Sequence, residues 1–404
     1  MTHTNIYTQD SFPPLGVSDS TITKNNNKTI SLKNINVSHG GSVFIETNIN
    51  LLCSSSGINN VLIDVLRDGK SICSGSGNQN LIDVRFLTKP SINKFSQCAA
   101  FNIVDTDINC GQYDYDIVLS LADNSNPVDI ISYSIVARSI DKANISVNQQ
   151  FSPLGSPVLT LPSSSSKSFV VYAPKLKNKC NKNNKIRLVF NFNFIAEEPQ
   201  FQLDIVRDDN SSVIGGTQTI LNFPVNLTPV ASTVEVGINF SVVDDNPLDS
   251  YTFILTNASP LPASIDFFSI VAELVDVSRT QEFPSPLTGD ALTIQPYSLQ
   301  TIPVNIFVKC PDSVVKLTFV GNLNIVGAAN FLYNIRSENR SLMNGPQLSN
   351  FFGASNSMLN VETNSTVMTV DEYPYQGNNT YYIDIISISN HPQGIDYYCF
   401  TAEQ

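Results

Sequence analysis

Hydrophobic and polar residues alternate with a period of two along most of this chain. The alternation is clear in residues 43–49, 113–119 and 186–194. Such a period is typical of a β-strand with one face in a core and the other in water. Turn residues such as Gly40-Gly41 separate these stretches, and no long stretch has the period of an amphipathic helix. The pattern therefore predicts an all-β protein.

The chain repeats one pattern three times, with a period of about 130 residues. Each copy has an opening motif of Phe, Pro, Leu and Gly, a strand ending in arginine, a Val-Asp turn before a tyrosine strand, and a closing strand. These landmarks include Phe12, Phe151 and Phe283; Arg67, Arg207 and Arg336; Asp105, Asp244 and Asp371; and the closing residues Arg138, Glu273 and Glu403. A repeat of this length is a whole domain with its own core. We therefore predict module 1 (residues 1–141), module 2 (residues 142–279) and module 3 (residues 280–404).

The number of strands in each module favours one type of sandwich. About eight strands in about 130 residues suit a two-sheet jelly roll. An immunoglobulin-like sandwich is the alternative, but it usually has about seven strands in about 100 residues and often a buried Trp, whereas this chain has no Trp. We predict three tandem antiparallel β-sandwiches of the jelly-roll type.

The opening motif has a structural and a functional interpretation. Proline cannot donate to an inner ladder, so the motif is expected at an edge or at the start of a strand. Its Phe and Leu would then dock on the sandwich as a clasp. The alternative is an arm donated to a neighbour's sheet.

Charge is scarce in this chain. Only 14% of residues are charged, with Lys+Arg 23, Asp+Glu 35 and a net charge of -12, which argues against nucleic-acid binding. A content of 42% apolar residues argues against disorder, and without a run of about 18 apolar residues we expect no membrane span. The N-terminus does not have the pattern of a signal peptide. We expect Asn, Ser and Thr on the outer strand faces. Charged residues at sheet edges usually prevent association between sheets, so a surface with few of them would favour packing against copies of the same chain.

Candidate chemistry is sparse. His3, His39 and His391 belong to unrelated elements, so neither a catalytic triad nor a histidine metal site is predicted, and we expect no enzymatic activity and no cofactor. Carboxylates recur at equivalent turns, and these could bind calcium, although we favour aspartates that cap their own turns. The turn carboxylates are Asp105, Asp107, Asp244, Asp245, Asp371 and Glu372.

The seven cysteines form no Cys-x-x-Cys pair. Cys180 lies in a basic cluster that extends from Lys175 to Arg187, which we interpret as a solvated hairpin loop. Cys310 occupies roughly the matching loop of module 3. We favour reduced, partly buried cysteines. The alternative is cross-linking between subunits, and Cys180 and Cys310 are the candidates for such an intermolecular disulfide.

The strand end Arg67-Asp68-Gly69, the Val-Asp turns, the Tyr113-x-Tyr115 strand and the closing strands resemble a loosely defined group of β-sandwich modules. Such modules are found in spore-surface, appendage and phage structural proteins of Gram-positive bacteria and, more broadly, in the jelly roll of the tumour-necrosis-factor/C1q type. The resemblance implies a structural or adhesive protein that assembles with itself and often lacks a signal peptide. Asn-rich composition and the preference for Lys over Arg also fit an AT-rich genome, such as that of a clostridium or a large virus.

Three functions are consistent with these features. The leading hypothesis is a non-enzymatic structural protein of a spore surface, exosporium or appendage, self-associating through edges and loops. The second is a virion or phage structural protein, such as a capsid, fibre or receptor-binding protein. The third is an adhesin that binds glycans or other surface proteins, and it would use exposed aromatic side chains such as Tyr373, Tyr375, Tyr397 and Tyr398. Tyrosines at alternate strand positions are, however, more often core residues or cross-strand pairs.

Overall fold

The structure is a computed structural model. It describes residues 5–53, 57–73, 82–88, 95–122, 125–151, 157–174, 185–222, 234–284, 289–310, 313–327, 329–338, 340–352 and 360–404. Within these ranges every regular element is a β-strand, apart from one 3-10 turn at Lys142–Asn144. The all-β prediction is therefore confirmed. None of the described elements is a helix of the length and hydropathy needed to cross a membrane.

The strands follow the three repeats of the sequence. Module 1 contains β1 (Ile6–Ser11), β2 (Ser20–Ile22), β3 (Lys28–Val37), β4 (Gly41–Cys53), β5 (Gly57–Arg67), β6 (Lys70–Ser71), β7 (Ile82–Thr88), β8 (Phe95–Asp105), β9 (Gly111–Leu121) and β10 (Val128–Asp141). Module 2 contains β11 (Ile145–Phe151), β12 (Leu159–Leu161), β13 (Ser165–Tyr172), β14 (Lys185–Ala196), β15 (Gln200–Arg207), β16 (Gln218–Asn222), β17 (Val234–Asp244), β18 (Ser250–Asn257) and β19 (Ala263–Val275). Module 3 contains β20 (Val277–Glu282), β21 (Leu292–Ile294), β22 (Leu299–Val308), β23 (Val315–Val326), β24 (Ala329–Ser337), β25 (Gln347–Phe352), β26 (Asn360–Asp371), β27 (Gly377–Ser389) and β28 (Gln393–Glu403). The second predicted boundary, residue 279, lies inside strand β20.

Each module is a jelly roll. In module 1 one half-sheet has the order β1-β10-β4-β8 and the other the order β3-β9-β5-β7. When the eight long strands are counted along the chain, these orders are 1-8-3-6 and 2-7-4-5, the antiparallel arrangement of a jelly roll. Modules 2 and 3 repeat both orders. The predicted fold is confirmed, and the immunoglobulin-like alternative is excluded by the strand order.

The sheets do not stop at the module boundaries. Strand β8 of module 1 pairs with β25 of module 3, β17 of module 2 pairs with β7 of module 1, and β26 of module 3 pairs with β16 of module 2. The sixth strand of each jelly roll thus pairs with the fifth strand of another, and three long sheets each extend through two modules. Because the three pairings are equivalent, the modules close into a ring with pseudo-threefold symmetry.

This closure changes the interpretation of the alternating strands. We expected the polar faces of residues 43–49 and 186–194 to point into water. In β4 and β14, however, nearly every side chain is buried on both faces, including Glu46, Asn48 and Arg187. One face packs in the core of its own sandwich and the other contacts a neighbouring module. The expectation of water on the polar face was correct for β9, where Tyr115 and Ile117 are buried and Asp116 is partly exposed.

The opening motifs also link the modules. Phe12 and Pro13 of module 1 lie on module 3, where their carbonyl oxygens accept hydrogen bonds from Asn344 Nδ2 (3.3 Å) and Gln347 Nε2 (3.1 Å). Pro284 of module 3 accepts an equivalent bond from Gln218 Nε2 of module 2 (2.9 Å). Phe12 and Phe283 dock as clasps, but each of them holds a neighbouring module. Leu15, which we expected to dock with Phe12, is instead 56% exposed.

The motif of module 2 is described only at its first residue. Phe151 packs against the core of module 1, together with Phe267, whose ring it stacks on at 5.0 Å. The motifs therefore connect module 1 to module 3, module 3 to module 2, and module 2 to module 1.

Candidate assembly site at the pseudo-threefold axis

Six charged residues meet where the three modules converge. Each module contributes one residue from its third long strand and one from its eighth, which are central strands of the inner half-sheets. The six residues, which we term the axial charge cluster, are Glu46 and Arg138 from module 1, Arg187 and Glu273 from module 2, and Lys316 and Glu403 from module 3. All six are buried, with at most 5% of any residue exposed.

Ion pairs in the cluster connect different modules. Arg138 makes a bidentate contact with Glu273, with both nitrogen–oxygen distances at 2.9 Å. Arg187 lies 2.6 Å from Glu403. A buried charge is tolerated only where partners replace the lost water, and breaking one such pair is costly. The cluster therefore holds all three modules in a single arrangement.

Glu46 and Glu403 are each shared by all three cations, and Glu46 is the one that comes from module 1. It is 3.1 Å from both Arg138 and Arg187, and it also pairs with Lys316. Three cations and three carboxylates leave no net charge in the cluster, which is a requirement for burying it in a low-dielectric interior.

Module 1 departs from the pattern of the other two. Its closing strand has Arg138 at the register position of Glu273 and Glu403. At the position of Arg187 and Lys316 it has Phe44. Both guanidinium groups stack on the Phe44 ring, at 5.2 and 5.4 Å from its centroid. Because Arg138 stands where modules 2 and 3 have a glutamate, the carboxylate of module 1 comes instead from Glu46, two residues beyond Phe44 on the same strand.

The electrostatics of the cluster favour the charged forms of its acids. Burial alone would raise the pKa of Glu46, but Arg187, Lys316 and Arg138 hold it well below its usual value. The pKa of Glu403 is lowered by the same three cations against the effect of burial. Burial, together with Arg138 and Arg187, lowers the pKa of Lys316 to about 8.

Uncharged polar side chains also make contacts between the modules. Asn48 Nδ2 donates to the Thr366 carbonyl of module 3 (2.8 Å), Asn102 Nδ2 to Asn239 Oδ1 of module 2 (2.9 Å), and Asn191 Nδ2 to the Ala100 carbonyl of module 1 (2.7 Å). Each asparagine satisfies a buried polar group of another module, as buried polar groups require. The Asn-rich composition is thus used, in part, between the modules.

The candidate calcium residues Asp105, Asp244 and Asp371 are buried and already have partners. Each accepts a hydrogen bond from the tyrosine of the following strand: Tyr115 to Asp105 (2.8 Å), Tyr251 to Asp244 (3.0 Å) and Tyr381 to Asp371 (2.9 Å). Each also pairs with an arginine, respectively Arg67, Arg207 and Arg340. Burial and the adjacent aspartate raise the pKa of each tyrosine. These groups fix the turn to the strand that follows it.

In module 3 the arginine comes from an unexpected position. Arg336, which ends the repeated strand, pairs with Asp384 instead, and Arg340 from the following turn takes its place beside Asp371. Asp371 and Tyr381 belong to the repeated landmarks of the sequence, whereas Arg340 does not, and the contact among the three was not predicted.

The second carboxylates of these turns lie apart from the first. Asp107 is exposed, and its backbone carbonyl accepts a bond from Arg67 (2.8 Å). Asp245 pairs with Arg279 and Lys185, and Glu372 is exposed beside module 1. Across the described ranges, no three His, Cys, Asp or Glu side chains are placed to hold a metal ion.

One expectation about an exposed residue was wrong, because Arg187, assigned to a solvated basic loop, is buried in the axial charge cluster. Tyr397 and Tyr398 are buried as well, which is the more usual position of tyrosines that alternate along a strand and excludes them from an adhesive surface. Tyr373 and Tyr375 are exposed, as expected, by 75% and 84%. Lys175, Lys177, Lys179, Cys180 and Lys182 lie outside the described residues. Cys310 is exposed with a free thiol, and an intermolecular disulfide at Cys180 or Cys310 stays a prediction.

Sequence reasoning missed the axial charge cluster, although a signal was present. The closing motif ends in Arg138, Glu273 and Glu403, and each of these charges is next to a run of apolar residues. A charge repeated at one position of a buried strand indicates a partner across an interface.

No family model and no curated protein matches the chain. Among solved structures, the chain is similar to one described as the triple jelly-roll fold and turret assembly of an archaeal virus, with 9% identity, 98% of this chain and 90% of the other covered, and a TM-score of 0.21. It is also similar to a structure from Sulfolobus turreted icosahedral virus, with 10% identity, coverage of 96% and 91%, and a TM-score of 0.22. A tandem carbohydrate-binding domain of Paenibacillus barcinonensis Xyn10C matches at 10% identity, coverage of 66% and 91%, and a TM-score of 0.20. The expected resemblance to tandem jelly-roll proteins is thus present among virus structures, and at these identities and TM-scores we base no functional argument on it.

Proposed function

We propose that this protein is a non-enzymatic structural building block of a virus particle, in which one chain takes the place of a trimer of jelly-roll subunits. The observation that carries the proposal is the closed ring of three jelly rolls, with each sheet continuing into the next module. A rigid block with near-threefold symmetry can occupy a symmetric position in a shell or spike, because point-symmetric assemblies are built by repeating closed contacts.

The outer faces of the modules differ while the inner contacts repeat. Within the described part of the chain, six of the ten exposed large hydrophobic side chains lie on module 3: Tyr297, Leu299, Phe307, Tyr373, Tyr375 and Ile388. The outer face of module 1 instead has Lys33 beside Asp114 and Asp116. Unlike outer faces on one block allow different neighbours, which a trimer of identical chains does not offer.

The same geometry supports a role in a virus particle better than a role in a spore-surface layer, which was our leading hypothesis from the sequence. That hypothesis has the chain self-associating through edges and loops, but the edges of the fifth and sixth strands of every module pair inside the ring. The remaining edges include β3, which has a register shift between Leu32 and Ile35, and β22, which contains Pro303. Bulges and prolines protect edges against further pairing.

The experiment is to purify particles from the producing cells, identify the chain by mass spectrometry and locate it with gold-labelled antibody. The proposal predicts that the chain co-purifies at a fixed ratio to the other particle proteins and is labelled at the particle surface. Recovery of the chain in the coat fraction of spores, or only as free protein, would overturn it.

A second candidate function, glycan binding, is favoured by one observation. Tyr373 and Tyr375 are both largely exposed, and their loop is held by bonds from Tyr373 N to Asp371 (3.1 Å) and from Asn379 Nδ2 to the Tyr375 carbonyl (2.6 Å). Aromatic faces fixed in this way can stack on sugar rings. A glycan array probed with the wild-type protein and with a Tyr373→Ala/Tyr375→Ala variant tests this function. Binding that the double variant loses supports it, and an absence of wild-type binding contradicts it.

A further inference from the structure

Two of the three module interfaces contain the same glutamine bridge. Gln149 of module 2 accepts a bond from Val104 N of module 1 (3.1 Å) and donates to its carbonyl (2.6 Å). Gln281 of module 3 makes the same pair of bonds to Val243 of module 2, at 3.1 and 3.0 Å. An amide can do both because it has an acceptor oxygen and a donor nitrogen.

The third interface has Asp10 at the equivalent position. The strand registers place Asp10 opposite Ser134 as they place Gln149 opposite Ser269, and Val370 precedes Asp371 as Val104 precedes Asp105. Asp10 accepts a hydrogen bond from Ser134 Oγ (2.7 Å). Its described contacts do not include a bridge to Val370. An ionised carboxylate can only accept, so it cannot bond to a carbonyl as glutamine does, whereas a protonated one can.

The surroundings of Asp10 are unfavourable to its charge. A pocket of about 430 Å³ opens between the modules, lined by Asp10 and Gln9 from module 1 and by Arg340, Glu372 and Tyr373 from module 3. Arg340 is engaged by Asp371, which also lines the pocket. On its own sheet Asp10 lies opposite Ser134 and close to Tyr133. Burial raises the pKa of Tyr133, and the negative charges of Asp19 and Asp10 add to this effect. Burial and the nearby Glu372 raise the pKa of Asp10 to about 7.

This interface is also the one without a direct chain connection. Modules 1 and 2 are joined across Lys142–Asn144, and modules 2 and 3 are joined between β19 and β20. Modules 3 and 1 are held only by their contacts, which include a small apolar cluster of Val136, Met368 and Val370. A ring with two covalent junctions opens most easily at the third position.

We propose that the interface between modules 3 and 1 is the opening seam of the ring, closed when Asp10 carries a proton and loosened when Asp10 ionises. Asp10 in an open seam is solvated and has an ordinary aspartate pKa, near 3.8. The closed form therefore binds more protons than the open form between about pH 4 and pH 7. The opening equilibrium constant rises with pH in that window, by at most about tenfold per pH unit, and levels off above pH 7.

Hydrogen exchange of the full-length protein between pH 4 and pH 8 tests the seam, after correction for the intrinsic exchange rate. Strands β11 and β20 are internal controls, since they occupy the same position at the glutamine-bridged interfaces. We expect the protection of β1 to fall with rising pH relative to β11 and β20, and to become constant above pH 7. The variants Asp10→Asn and Asp10→Gln should abolish this dependence, and Asp10→Gln should raise the protection of β1.

A reciprocal variant separates the seam from fraying at the N-terminal strand. Gln281→Asp should transfer the pH dependence to β20, at the interface of modules 2 and 3. The proposal is overturned if the protection of β1 does not vary with pH relative to the control strands. It is also overturned if Asp10→Asn retains the wild-type pH dependence.

Discussion

Single charged residues decide how the modules of this chain fit together. Module 1 has Arg138 where the other modules have Glu273 and Glu403, and this change would leave carboxylates and cations unbalanced without Glu46. An unpaired buried charge costs several kcal/mol, on the order of 3–5. The three modules are therefore not interchangeable, because the charges that each supplies pair with particular charges of its neighbours as well as with its own.

Removing one cation from the axial charge cluster should destabilise the protein strongly. Lys316→Met leaves Glu46 and Glu403 buried with fewer partners, and we expect the free energy of unfolding to fall by about 3–5 kcal/mol in urea at pH 7. Lys309→Met is the matched control, because Lys309 pairs with Asp276 at an exposed site. There the loss should stay below about 1 kcal/mol. Equal losses in the two variants would contradict the importance of the cluster.

Acid should weaken the cluster through its glutamates. The folded-state pKa values of Glu46 and Glu403 are lowered from 4.5, so the folded protein binds fewer protons than the unfolded chain. Their contribution to stability is complete above about pH 4.5 and is lost as the pH falls below that value. Urea unfolding from pH 3 to pH 6 should therefore show a smaller acid-induced loss in Glu46→Gln than in the wild type. Taking this difference also cancels the opposite effect of Asp10, and parallel curves would argue against the assignment.

The buried position of Arg187 could not be predicted from the residues around it. The residue follows a run of lysines, and local composition alone suggests a solvated loop. Its burial depends on Glu46 and Glu403, which are 141 and 216 residues away along the chain. A pairing over that distance leaves no local pattern.

At the element scale, each Val-Asp turn is attached to the strand that follows it. Tyr251 donates to Asp244, and Arg207 from another strand makes a bidentate contact with the same aspartate, at 2.9 and 2.6 Å. The three members come from β15, β17 and β18, so the group connects the two sheets of the sandwich. Its recurrence explains why Asp and Tyr were visible as repeats in the sequence.

Loss of the tyrosine hydroxyl should reveal the strength of this connection. Tyr251→Phe leaves a buried carboxylate with one donor fewer, and we expect a loss of about 1–3 kcal/mol in thermal or urea unfolding. Tyr172→Phe is the matched control, because Tyr172 is 70% exposed. A control variant that is as unstable as Tyr251→Phe would show that the hydroxyl bond is not the cause.

The strands themselves were largely predictable. Alternation marked the strands, and the eight strands per repeat indicated the jelly roll, because these features depend on local pattern. The period of two separates the faces of a strand but does not distinguish water from a neighbouring module. For this reason the outward faces of β4 and β14 were expected in solvent and are buried instead.

At the scale of the whole molecule, the low charge content acquires a structural explanation. Asn48, Asn102 and Asn191 are buried between modules, where charged side chains would need partners. Part of the polar surface that suggested association between copies is therefore used within one chain. Self-association stays a prediction that concerns the outer faces, above all the apolar one of module 3.

The central claim is that three jelly rolls of one chain close into a ring around the axial charge cluster. Small-angle X-ray scattering of the dilute monomer tests it most directly, because a ring and a linear array of the same domains differ in size. A compact molecule of this length has a radius of gyration of about 22 Å, whereas three domains in a row give a value on the order of 30 Å. We predict a value near 22 Å, and a monomer near 30 Å would contradict the closed ring.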